Sequence, residues 1–175
     1  MIQNAQEGFN LEEKTLAIFF DVAAAFDKVW YGGLIYKLNS LRVPYYILRI
    51  IIVFLDGRTF SVKVNGRVSD VFNILCGVPQ GGVLSPTLFA FYINDVPLAL
   101  DNDEITILFA DDIAYLKRFK YKDKKSSQLE LKKKAQDSAQ NFLNRLEEWM
   151  SDWHLSLAPK NCAQITFSKA KDLKK

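Results

Sequence analysis

Two adjacent acids, Asp111 and Asp112, stand inside an apolar stretch, Leu108-Phe109-Ala110-Asp111-Asp112-Ile113. Strand-like neighbours on both sides bury what lies between them, and an unpaired buried carboxylate either protonates or recruits a cation. The chain is therefore expected to carry the pair at the tip of a buried hairpin, a natural seat for Mg²⁺. Asp21 closes another apolar run, Leu16-Ala17-Ile18-Phe19-Phe20, in the same setting. Three carboxylates from two strands suit a metal-dependent phosphoryl-transfer centre. The bland reading of Asp-Asp is an exposed turn in which each side chain bonds its own backbone.

With 175 residues, 49% of them hydrophobic and 25% charged, the chain can bury a core, and one domain over 1–175 is the expectation. The longest apolar stretch, Tyr45 to Leu55, is interrupted by Arg49 and is too short to cross a bilayer, and no signal peptide is visible. A soluble, intracellular protein with no membrane partner is expected, its nuclear or cytoplasmic location open. Cys76 and Cys162 follow no metal-ligand spacing and are expected as buried thiols; with His154 the single histidine, zinc chemistry is disfavoured. The net charge of +3 hides an asymmetry: the segment 117–134 holds nine Lys or Arg against Asp123 and Glu130, or +7, which leaves −4 for the rest. Such a basic loop suits phosphate contact, and equally a solvated loop and helix face.

Along the chain, Leu16 to Val22 reads as a buried strand, Lys28 to Leu41 as a helix after an irregular turn, and Tyr45 to Leu55 as a second helix behind Pro44. Phe60 to Val64 alternates, Asn65-Gly66 signals a two-residue turn, and Val68 to Leu75 returns as the partner strand. Leu84 to Val96 has helical spacing, with Ser85 as cap and Pro86 in the first turn. Ile105 to Phe109 and Ile113 to Leu116 form the acidic hairpin. Gln128 to Trp153 reads as a long amphipathic helix, Ala163 to Phe167 as a last strand, and 169–175 as a frayed tail. The fold class is α+β, a mostly antiparallel sheet with helices on one face and both acidic positions on central strands.

Three segments together are specific. Phe20-Asp21-Val22-Ala23-Ala24-Ala25-Phe26-Asp27-Lys28-Val29-Trp30, Gly77-Val78-Pro79-Gln80-Gly81-Gly82-Val83-Leu84-Ser85-Pro86 and Phe109-Ala110-Asp111-Asp112 resemble motifs A, B and C of reverse transcriptases, in order and at matching spacing. The wording is similar to that of jockey-like non-LTR (LINE) retrotransposons over nearly the whole chain. The resemblance implies a polymerase palm that performs RNA-directed DNA synthesis from an RNA template, a DNA primer and dNTPs, with other retrotransposon polypeptides as further partners. It implies that Asp21, Asp111 and Asp112 are catalytic and ligate two Mg²⁺ ions, or Mn²⁺ as a substitute, about 3.5–4 Å apart.

The same resemblance places Val22, Phe26, Gln80 and Gly81 at the nucleotide. Phe26 matches an aromatic steric gate that leaves no room for a 2′-hydroxyl, although a Phe there also suits a core. Gly82 stands where Ser is more usual. Asp27 recurs in motif A and is expected to cap or support the following helix, not to bind metal. Leu155-Ser156-Leu157-Ala158-Pro159-Lys160-Asn161-Cys162 resembles motif D, whose lysine acts as general acid on the leaving pyrophosphate. Here Asn161 occupies the lysine's place and Lys160, the candidate general acid, lies one residue earlier. Fingers, thumb and endonuclease lie largely outside these residues. The competing expectations are a catalytically inactive retrotransposon relic and a module that binds nucleic acid or protein without catalysis.

Overall fold

Apolar runs of period two and period 3.6, separated by Pro, Gly and Asn, make the order of elements in this chain. The structure is a computed structural model that describes residues 13–96, 105–119 and 128–167. Its elements are β1 (Lys14–Asp21), α1 (Tyr31–Ser40), α2 (Tyr45–Leu55), β2 (Thr59–Phe60), β3 (Lys63–Val64), β4 (Arg67–Val68), β5 (Phe72–Asn73), α3 (Ser85–Ile93), β6 (Ile105–Phe109), β7 (Asp112–Phe119), α4 (Gln128–Asp152) and β8 (Ala163–Phe167), with 3₁₀ turns at Ala25–Lys28 and Pro159–Asn161. The architecture is α+β. The chain divides into two compact units, one holding β1, β6, β7, β8 and α4 up to residue 151, the other residues 24–94 and 152–155.

The first unit is built on a four-stranded antiparallel sheet in the order β6-β7-β1-β8. Directly opposed residues of antiparallel strands share a face, so the register sorts the side chains. Leu16, Ile18 and Phe20 of β1 lie on the α4 side, where Phe20 stacks on Phe142 at 5.5 Å and Tyr115, opposite Ile18, packs against the same ring at 4.2 Å. Tyr115 Oη also shares a hydrogen bond of 3.0 Å with Ser138 Oγ. The α4 stripe Leu131, Phe142, Leu146 and Trp149 is buried, as a core-packing helix requires. Ala17, Ala114 and Leu116 form a smaller cluster on the other face, with Phe19, Ile105, Ile107 and Phe167 against it. Asp21 and Asp112 are in register with that second face.

In the second unit Leu34 and Leu38 of α1, Leu48, Ile51 and Leu55 of α2, and Leu88, Phe89, Tyr92 and Ile93 of α3 are buried. Lys37, only 5% exposed, donates from Nζ to the Tyr92 carbonyl at 2.6 Å and lies 3.5 Å from the centroid of the Trp153 ring. A cation there satisfies a carbonyl that the end of α3 leaves without an intrahelical partner. Asn65 and Gly66 both have positive φ, 48° and 81°, as a type I′ turn demands. The expected long partner strand is instead two short pairings, Lys63↔Val68 with Val64↔Arg67 and Thr59↔Asn73 with Phe60↔Phe72. Between them Ser69 breaks the ladder, because its hydroxyl accepts the Val62 N–H at 2.9 Å.

Other boundaries differ for similar reasons. The helix expected from Lys28 begins only at Tyr31, because the Val29 carbonyl accepts the Gly77 N–H at 2.8 Å and Trp30 is extended. Ser85 is not the cap of α3; it stands inside the first turn and its hydroxyl donates to the Pro79 carbonyl. The helix ends at Ile93, not Val96. Cys76 is exposed and Cys162 half-buried, so neither is the buried thiol expected; each donates to a nearby carbonyl, Asp27 O at 3.2 Å and Ala158 O at 3.5 Å. No helix among the described residues is long and apolar enough to cross a membrane. The tail at 169–175 and residues 120–127 of the basic loop lie outside the described residues.

Candidate active site

The acids meet at one end of the central strand pair. β1 and β7 pair from Lys14↔Phe119 to Asp21↔Asp112, so the last residues of the ladder are two carboxylates directly opposite one another. Like charges placed this way repel and destabilise the pair unless a cation or donor intervenes. On the far side of β7, Phe109↔Asp112 closes the hairpin with β6 and leaves Ala110-Asp111 as a two-residue loop. Ala110 has φ 52°, a left-handed conformation that disfavours any residue with a Cβ.

The expectation that these acids are buried is corrected. Asp112 is exposed, Asp21 and Asp111 are half-buried, and Phe109 is 80% exposed. The ladder ends at Asp21 and Asp112, so the tip emerges from the apolar layers into solvent. Among the described residues no three His, Cys, Asp or Glu side chains are gathered into a group able to hold a metal ion. The structure thus brings Asp21 and Asp112 into register and Asp111 into the adjoining loop without drawing the three together. Their chemistry still suits a hard cation: oxygen donors only, with two anionic groups opposed on one face.

Asp21 is held from its other side by the segment after α4. Val22 bridges Leu157, the Ala23 N–H donates to Ser156 O at 2.8 Å, and the Ala158 N–H donates to Asp21 O at 2.8 Å. The turn Pro159–Asn161 then carries the Asn161 amide to the Asp21 carboxylate, with Nδ2 2.6 Å from Oδ2. Lys160, one residue before it, is exposed. Val22 is itself 2% exposed, so its side chain is buried.

The motif B segment is organised within the second unit. The Val78 N–H donates to Phe26 O at 2.7 Å, and a Cβ on Gly77, whose φ is 85°, would lie 2.6 Å from the Asp27 carbonyl oxygen. Only glycine permits that approach. Gln80 Nε2 donates to both carboxylate oxygens of Asp27, at 3.0 and 3.1 Å. The helix-capping role expected of Asp27 is therefore corrected: α1 has Trp30 at its N-cap and no side-chain cap, and the Asp27 carboxylate is engaged by Gln80 instead. Phe26 is half-buried and stacks on Phe89 with centroids 4.9 Å apart. Gly81 has φ 78° and open space around it, whereas a Cβ on Gly82 would meet Ser85 Oγ at 2.8 Å.

Two residues of this framework carry no motif signal. Arg58 donates from its guanidinium to the Gly77 carbonyl and to Tyr31 Oη, and from Nε to Leu55 O at 3.3 Å, tying the motif B loop to the end of α2. Asn161 showed in the sequence only as an occupant of a lysine's place. Its partner lies 140 residues away, which no local pattern reveals.

Residues 2–173 match the reverse transcriptase (RNA-dependent DNA polymerase) family. The chain is 36% identical over 97% of its length to the RNA-directed DNA polymerase from mobile element jockey of Drosophila funebris, and 28% identical over 96% to the probable RNA-directed DNA polymerase from transposon X-element of Drosophila melanogaster. It spans 18% of the length of each of these relatives. Among solved structures, telomerase of Candida albicans in complex with a TWJ fragment of telomeric RNA superposes with a TM-score of 0.64 at 14% identity, over 94% of this chain and 30% of that one. Apo telomerase of Candida tropicalis truncated from its C-terminal domain gives 0.60 at 14% identity, over 94% and 33%. The fold is α+β and palm-like, and by the extent of the family match the chain belongs to the reverse transcriptases.

Proposed function

We propose that this chain is the catalytic palm of an RNA-directed DNA polymerase that extends a primer 3′-hydroxyl with a dNTP on an RNA template. The observation that carries the reading is the register Asp21↔Asp112, with Asp111 in the adjoining loop. In this reading the three carboxylates would hold two divalent cations, Mg²⁺ or Mn²⁺, and the chemistry supplied by such ions would be activation of the attacking hydroxyl and neutralisation of charge on the triphosphate and leaving pyrophosphate. The carboxylates would orient the cations. Phe26 serves as the gate against a 2′-hydroxyl, with Val22, Gln80 and Gly81 at the nucleotide. Lys160 is the candidate donor to pyrophosphate.

The test is primer extension on an RNA template with Mg²⁺ and dNTPs, comparing the chain with Asp111→Asn/Asp112→Asn. Extension that disappears in the variant supports the reading. Absence of extension from either, with salt-sensitive nucleic-acid binding that survives the substitutions, would replace it with a binding module. In an active form, Phe26→Ala is expected to relax discrimination against ribonucleotides, read as the ratio of dNTP to rNTP incorporation; an unchanged ratio removes the gate assignment.

A further inference from the structure

The motif B loop is held at its root and open at its tip. At the root the Gly77 N–H donates to Val29 O at 2.8 Å and the Val78 N–H to Phe26 O at 2.7 Å. The carbonyls of the same root turn to one guanidinium: Arg58 Nη2 donates to Gly77 O and lies 3.4 Å from Cys76 O. Two helices of the second unit fix that guanidinium in turn. Its Nε donates at 3.3 Å to the carbonyl of Leu55, the last residue of α2, and Nη2 also donates to the hydroxyl of Tyr31, the first residue of α1, whose ring centroid is 5.6 Å from Cζ. Past Pro79, Gln80 is exposed and Gly81 stands at φ 78° with open space around it.

We propose that Arg58 is a positioning residue for nucleotide selection: it sets the root of the motif B loop and, through the Val78 N–H, the main chain of Phe26, so that loop and gate keep one spacing around the incoming dNTP. The inference rests on the reading of Phe26, Gln80 and Gly81 as nucleotide contacts. Acceptors in the loop, at the end of α2 and at the start of α1 need donors in several directions, which a planar guanidinium fork supplies and a lysine, a single point charge, does not. Gly77 is buried, so its carbonyl loses a charged donor at a cost that solvent does not fully restore. Arg58 is half-buried and acts through the loop.

The experiment compares the full chain with Arg58→Lys, and with Tyr31→Phe, which removes one contact that fixes the guanidinium. Amide hydrogen exchange at Gly77 and Val78 is expected to quicken about 10-fold in Arg58→Lys, while exchange in the middle of α1 and α2 stays as in wild type. In primer extension the same variant is expected to raise the KM for dNTP about 10-fold with kcat little changed, and to lower the ratio of dNTP to rNTP incorporation. Tyr31→Phe is expected to move both readouts in the same direction by less. Unchanged exchange at Gly77 and Val78 overturns the clasp. Exchange quickened equally through α1 and α2 overturns the positioning role, since Arg58 would then serve only the stability of the unit. Faster exchange at the root with wild-type KM and wild-type ratio overturns the role in selection and leaves the polymerase reading intact. No extension by the wild-type chain overturns the polymerase reading beneath the proposal, whatever the exchange shows.

Discussion

Asp21 and Asp27 lie six residues apart in one motif, each follows a phenylalanine, and each receives a side-chain amide from a distant segment. They differ in what remains afterwards. Gln80 spans both oxygens of Asp27, at 3.0 and 3.1 Å, and the pair works as a clasp between two loops. Asn161 takes one oxygen of Asp21 at 2.6 Å, and Asp112 stands opposite in the ladder. Both oxygens of Asp27 are engaged by one amide; Asp21 keeps one oxygen outside its amide contact and has a like charge facing it. In the proposed reading it is the facing carboxylate and the oxygen left open, not the motif's wording, that would separate a ligand from a strut.

The largest test of this contrast is the paired substitution of the two acids. Asp21→Asn or Asp111→Asn is expected to abolish metal-dependent nucleotide incorporation. Asp27→Asn is expected to keep it. Equal loss from all three in primer extension would erase the distinction.

Next in size is Gly77→Ala. Its Cβ would meet the Asp27 carbonyl oxygen at 2.6 Å from a φ of 85°. Left-handed strain and overpacking together are expected to destabilise the second unit by about 2–4 kcal/mol, read by denaturant unfolding. Mn²⁺ binding that depends on Asp21 should persist in whatever fraction stays folded. If Gly77→Ala instead melts like wild type, the loop is not clasped as tightly as the contrast requires.

Gln80→Ala asks whether the clasp matters by itself. Asp27 and Gln80 are both exposed, so water replaces the lost amide and the expected destabilisation is about 0.5–1 kcal/mol. The double variant Gln80→Ala/Asp27→Asn should cost no more than either single one, since both remove the same bond. Additive losses in a double-mutant cycle would show that the two residues act separately.

These contrasts also mark what the residues alone disclose. The ends of α2 and β8 fall where Pro44 and the alternation Ala163 to Phe167 place them, and the antiparallel pairing of the two acidic strands follows from their patterning. Those features are local, set by period and by turn residues. The start of α1, the place of Ser85, the exposure of Cys76 and the partner of Asp27 are not local. Val29 gives its carbonyl to Gly77, Ser85 turns to Pro79, and Asp27 finds an amide 53 residues away. A capping rule assigns Asp27 to the nearest helix because it cannot see that a loop arrives first. For the acids, apolar neighbours imply burial, whereas the ladder ends at Asp21 and Asp112 and the tip stands out.

The smallest effect concerns the loop that carries Asp111. Ala110 holds φ 52° between Phe109 and Asp111, where glycine suffers no steric penalty and alanine about 1 kcal/mol. Ala110→Gly should relieve that strain but add freedom to the unfolded chain, and the two nearly cancel, for a net change within about 0.5 kcal/mol. The informative readout is therefore not stability but metal affinity. If the strained alanine serves to hold Asp111 beside the Asp21–Asp112 pair, Ala110→Gly weakens Mn²⁺ binding while the melting temperature stays put. If affinity is unchanged, the hairpin register alone orients Asp111. The acid would then be placed, like Asp27, by its neighbours' hydrogen bonds and not by a backbone conformation of its own loop.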